Sequence, residues 1–157
     1  AFPPMVGWAS VTGSIDLCAI ALFLIIFFWT PPHFWALALW KKINADYTNA
    51  GVPMLPVVAG PDETRRQILL YTLLLVPVTL LPALTGTVGW FYTIANIGLG
   101  LMFIWHAWRV FRIREGQEAE IACKKLFGFS TMWLFIVFAI ILAERAIGLP
   151  SFAPVFG

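Results

Sequence analysis

Residues 17–40, LCAIALFLIIFFWTPPHFWALALW, run for 24 positions without an Asp, Glu, Lys or Arg. A bilayer crossing needs roughly 20 predominantly apolar residues, within a range of about 17 to 25, so this stretch reads as a membrane span. Three further charge-free runs follow it: residues 68–84 (17 positions), 88–108 (21) and 126–143 (18). The four runs hold 80 of the 157 residues. Composition agrees, with 61% hydrophobic, 16% aromatic and 11% charged residues, against about 25% charged in soluble domains. A water-soluble domain and a disordered chain are both excluded. The expected fold is all-α, a polytopic membrane helical bundle forming one domain over residues 1–157. Its transmembrane helices are expected at about 15–40, 68–85, 88–108 and 126–144, with loops at 41–67 and 109–125.

The cations orient this bundle. Lys41, Lys42, Arg65 and Arg66 fall in the first of those loops, and Arg109, Arg112, Arg114, Lys124 and Lys125 in the second, leaving only Arg145 elsewhere. Short Lys/Arg-rich loops stay on the cytoplasmic side, which places both loops inside and both chain ends outside, as in a bacterial inner membrane. A net charge of +2 is too small to suggest nucleic acid as a partner. Cys18 and Cys123 are far apart in sequence without a CxxC spacing, so a disulfide framework, a zinc site and a dithiol redox site are not expected. The chain opens Ala-Phe-Pro-Pro, with no basic segment ahead of an apolar one, and reads as a piece of something longer without a signal peptide. The Thr-Gly-Thr turn at 85–87 makes spans two and three an antiparallel hairpin. Residues 112–125, RIREGQEAEIACKK, read as an amphipathic helix lying on the inner leaflet.

The chemistry-bearing residues concentrate in residues 29–60, WTPPHFWALALWKKINADYTNAGVPMLPVVAG. His33 precedes Lys41 by eight positions, roughly 12 Å along a helix, so it lies below the inner interface. Ionisable groups at that depth are functional candidates by default. An equally weighted alternative is a neutral ring satisfied by a carbonyl freed at Pro31 or Pro32. Asp46 follows Lys42 by four positions, which alone would be an ordinary helix ion pair of a few tenths of a kcal/mol. Its neighbours suggest more: cations for an anionic group and a carboxylate able to hold Mg²⁺, which commonly binds through one or two carboxylates plus substrate phosphates. Arg65 and Arg66 have two readings, topology alone or a bidentate clamp on a diphosphate. His106, three residues before Arg109, reads as structural.

Several motifs in order carry a family resemblance: AFPPMVGW at the start, WTPPHFWALAL, then D-Y-x-x-A-G-V-P-M-L-P-V-V from Asp46, T-x-x-Q-I from Thr64, and KLFGFS at 125–130. Over nearly its whole length the chain resembles the UbiA-type intramembrane prenyltransferases, in the branch that farnesylates protohaem IX. The resemblance implies a nine-helix bundle around a cavity, of which this chain supplies the last four helices. It also implies an Asn/Asp-rich motif upstream of residue 1, without which the chain alone is inactive. The later acid segment of the family is often D-x-x-x-D, whereas here Ala50 stands where a second carboxylate would be.

By the same resemblance, farnesyl diphosphate and haem B are the substrates and Mg²⁺ the cofactor. Asp46 would hold the metal and join Lys42 and Tyr47 in the catalytic set. Lys41, Arg65 and Arg66 would steady diphosphate or haem propionates, and His33 would face the haem. Haem A synthase or terminal oxidase assembly would be the protein partners, and the bilayer the surroundings. Three alternatives stand beside this: a haem-binding assembly protein without transfer chemistry, using His33 and His106; a related prenyltransferase for a quinone or chlorophyll precursor; and a purely structural subunit.

Overall fold

Asp16 opens the first long helix. Its Oδ1 accepts the backbone N–H groups of Cys18 and Ala19 at 3.0 and 3.1 Å, an N-cap of the kind worth about 1 kcal/mol. Its Oδ2 takes the indole N–H of Trp8 at 3.0 Å, which ties the short helix α1 (Pro3–Thr12) to α2 (Leu17–Ala38). The structure, a computed structural model, describes residues 1–155 apart from the side chains of Lys41 and Lys42. The chain continues through α3 (Lys41–Asn49), α4 (Leu55–Val58), α5 (Pro61–Val78), α6 (Leu81–Leu84), α7 (Trp90–Arg112) and α8 (Gly116–Ile147), with no strand among the described residues.

Among the described residues, four helices are long and apolar enough to cross a membrane: α2, α5 continued by α6, α7 and α8. They pack in a closed ring, α2 on α5, α5 on α7, α7 on α8 and α8 back on α2. Trp133, Tyr92, Phe103, Ile25, Ile68, Leu75 and Leu126 fill its centre, all fully buried. Phe103 meets the edges of Trp133 and Phe129 at centroid distances of 5.2 and 5.7 Å. Where α5 and α7 approach closely, Gly100 lies against Val76, whose methyls a Cβ would meet at 3.2 Å, the small-residue contact that membrane helices favour. The outward faces stay apolar: Ile94, Leu101, Trp105, Met132, Phe135 and Leu142 are all more than half exposed, as suits lipid rather than water.

The ring has two ends of different construction. At the end holding the starts of α2 and α7, the span from Pro61 to Leu84 is broken between Pro77 and Pro82, since proline removes a helical donor and crowds the preceding turn. The carbonyl of Thr79 freed there is taken by Tyr92 Oη at 2.7 Å and Asn96 Nδ2 at 3.2 Å. At the opposite end lie the start of α5, the α7–α8 turn and nine of the ten cations.

One expectation needs correcting. Residues 112–125 do not form a separate interfacial helix: after a three-residue break, α8 runs unbroken for 32 residues from Gly116. No proline interrupts residues 116–147, and Glu120 pairs with Lys124 at 2.6 Å across one turn, so the charged run continues directly into the apolar one.

Candidate functional site

Trp29 and His33 are one helical turn apart on α2 and therefore share a face. Their rings stack at a centroid distance of 4.3 Å. Phe127 of α8 covers the other face of His33 at 4.5 Å, and Phe34 meets its edge at 5.2 Å. Ser130, one turn along α8 from Phe127, places its hydroxyl 2.7 Å from His33 Nδ1. The same hydroxyl donates to the Phe127 carbonyl at 2.8 Å, and the Trp29 indole N–H donates to the Ser130 carbonyl at 2.8 Å. The aromatic column extends toward the cationic end through Trp40, edge-on to Phe127 at 5.6 Å, and Lys124, whose ammonium lies 5.5 Å from the Trp40 ring.

A second polar station is a cleft of about 500 Å³ between the start of α3, the start of α5 and the α7–α8 turn, lined by Asn44, Asp62, Arg65, Arg114 and Glu115. Arg65 crosses it, donating to the Arg114 carbonyl at 2.8 Å and to Asp62 at 3.3 Å. Its Nε is buried without a partner among the described residues. Arg66 turns the other way, its side chain 65% exposed and 3.5 Å from Glu63. Successive helical residues are about 100° apart, so these adjacent arginines do not form one fork.

Asp46 and Tyr47 lie on α3, which Asn44 anchors by donating to the Ala38 carbonyl at 3.3 Å. Asp46 is exposed, with no side-chain partner among the described residues, and Tyr47 is half-buried. Two positions beyond Asn44, Asp46 lies roughly 200° around the helix from the cleft-facing side. The side chains of Lys41 and Lys42 lie outside the described residues. Among the described residues no three His, Cys, Asp or Glu side chains gather as a metal cage. The sites expected from sequence thus fall at three stations: His33 between α2 and α8, Arg65 in the cleft, and Asp46 with Tyr47 on α3. His106 stacks on Phe129 at 4.7 Å in the α7–α8 seam.

Sequence reasoning missed Ser130, Phe127 and Arg114 as neighbours of those residues. The spacing of Phe127 and Ser130, three apart within an apolar run, was the available signal for a shared face. Glu144 was missed as well: it is 2% exposed and its Oε1 accepts the Gly89 N–H at 3.0 Å. A cavity of about 750 Å³, larger than the Arg65 cleft, lies at the other end of the bundle, lined by Trp8, Leu22, Phe135, Phe138 and Arg145. Its mostly apolar walls make it a poorer host for polar chemistry than the Arg65 cleft.

Fold and polar stations together define a multi-pass helical membrane protein whose candidate ligand-binding groups gather toward one end. Residues 1–135 match the UbiA prenyltransferase family, and the chain belongs to it. Similar proteins carry the name Protoheme IX farnesyltransferase. That of Parvibaculum lavamentivorans is 54% identical over 95% of this chain and 46% of its own length. That of Azorhizobium caulinodans is 56% identical over 94% and 47%, and that of Methylobacterium nodulans 53% over 99% and 48%. The chain thus spans about half the length of the curated relatives it matches. No solved structure matches it.

Proposed function

We propose that this chain is the C-terminal portion of an enzyme that transfers a farnesyl group from farnesyl diphosphate to a vinyl group of haem B, giving haem O. The observation that carries the reading is identity of 53 to 56% across nearly the whole chain with proteins named for that reaction. The positive-inside pattern supports cytoplasmic loops in a bacterial inner membrane, and haem A synthase or a terminal oxidase assembly would receive the product.

In this reading the C1–O bond of farnesyl diphosphate breaks and diphosphate leaves with the electron pair. The vinyl π electrons form the new C–C bond to C1, and water captures the resulting cation with loss of a proton. Asp46, exposed and without a side-chain partner among the described residues, would hold Mg²⁺, which commonly binds through one or two carboxylates plus substrate phosphates. When bound, Mg²⁺ supplies charge neutralisation on the departing diphosphate. Lys42 and Tyr47 would act on the diphosphate with Asp46, Lys41 and Arg65 would steady it or the haem propionates, and Arg66, which faces the other way, would reach only a group outside the cleft. Arg65 lies in the cleft wall, its guanidinium held by Asp62 and the Arg114 carbonyl, and His33 would face the haem.

A second reading, haem holding without transfer, is favoured by the built surroundings of His33 beside the solitary Asp46. The test is mass spectrometry of haems from membranes of cells expressing the chain with its natural upstream sequence. Haem B bearing a hydroxyethylfarnesyl group is the expected product. Unmodified haem B that copurifies with the protein selects the second reading, and a different prenylated acceptor removes the haem substrate while leaving the family.

A further inference from the structure

We propose that Ser130 is a positioning residue that fixes His33 as its Nδ1–H tautomer and leaves the Nε2 lone pair for the iron of a haem substrate. The proposal rests on the haem reading above and adds to it a residue and a protonation state. Ser130 Oγ carries one proton, and two acceptors surround it: the Phe127 carbonyl at 2.8 Å and His33 Nδ1 at 2.7 Å. With that proton directed to the carbonyl, the contact to the ring is a hydrogen bond only when Nδ1 donates. A neutral imidazole protonated at Nδ1 carries its lone pair on Nε2.

The surroundings favour the same tautomer. Nε2 has no hydrogen-bond partner among the described residues, yet it is not among their sealed, unpartnered atoms. The opposite tautomer would place an N–H at that edge, where no acceptor stands among the described residues and the neighbours are Trp29, Phe34 and Phe127. A lone pair there is instead what haem iron takes from histidine. Stacking on both faces limits ring tilt, and the hydroxyl limits rotation in the plane. A partner on the far nitrogen fixes ring orientation and raises ligand basicity in metal-bound histidines generally.

The experiment uses the full-length protein, upstream sequence included, purified in detergent and titrated with ferric haem B while the Soret band is followed. Ser130→Ala is expected to weaken haem binding roughly tenfold and shift the Soret band, whereas Ser130→Thr, which keeps Oγ, stays within about twofold of the unmodified protein. Farnesyl diphosphate binding is expected to be unchanged in both. Wild-type affinity and spectrum in Ser130→Ala would overturn the positioning role while leaving the haem reading intact. An unmodified protein that binds no haem overturns the haem reading itself, and the role of Ser130 with it. A second measurement needs no Ser130 variant: ¹⁵N spectra of histidine-labelled, haem-free protein, with His33 assigned by its loss in His33→Asn. An Nδ1–H pattern supports the proposal, and an Nε2–H pattern refutes it.

Discussion

The two ends of the bundle treat polar groups differently. At the end holding the start of α7, polar side chains close off helix ends: Asp16 caps α2, Glu144 takes the Gly89 N–H, and Tyr92 with Asn96 takes the Thr79 carbonyl. Phe152 and Val155 donate their backbone N–H groups to the Val88 and Leu84 carbonyls, adding a strap across the hairpin. At the cationic end His33 Nε2 is not sealed and Asp46 is exposed, and neither has a partner among the described residues. Unpartnered atoms occur at the other end too, Asn96 Oδ1 and Glu144 Oε2, but these are buried and belong to side chains whose other polar atom already holds the backbone. Buried polar groups inside a membrane must find partners, so groups left open to a ligand at the cationic end are the more informative observation.

That contrast breaks if the two ends respond alike to mutation. The largest expected effect is at Asp46: Asp46→Ala in the full-length protein should abolish the farnesylated haem detected by mass spectrometry. Because the side chain is exposed, thermal unfolding in detergent should change by no more than about 0.5 kcal/mol. Next is Glu144→Ala, which leaves the Gly89 N–H buried and unpaired and should cost about 1–3 kcal/mol in the same unfolding measurement. Glu144→Gln keeps an acceptor there and should lose less, while haem binding survives in both. If Glu144→Ala removed haem binding without destabilising the protein, the division between ends would be wrong. The smallest effect is at Arg66, where Arg66→Ala removes a solvent-exposed pair worth about 0–1 kcal/mol in thermal unfolding. A larger loss there would mean that the outward arginine has a hidden partner.

The four membrane helices were legible because burial in lipid needs only long apolar runs, which composition displays without any pairing information. The break in the second span was legible in part, since Pro77 and Pro82 announce it, but its repair by Tyr92 and Asn96 depends on residues from the next helix. Arg65 and Arg66 show a different limit. Side by side in sequence they suggest a single fork, yet helical rotation sends one into the cleft and the other toward solvent. His33 was visible as an ionisable residue at depth, whereas Ser130, 97 positions later, becomes its partner only when α2 meets α8. Contacts across the ring follow from which helix faces meet, and apolar runs of similar composition do not specify that.

Glu144 and the strap bear on the order in which the protein is made. A Cβ at position 89 would collide with the Pro150 carbonyl, so the hairpin between α5 and α7 is shaped to receive residues that leave the ribosome about sixty positions later. Until those residues arrive, the Gly89 N–H and the Val88 and Leu84 carbonyls lack the partners they have in the finished bundle. A segment translated later therefore fastens a hairpin translated earlier, and this end is sealed only once residues 144–155 have emerged.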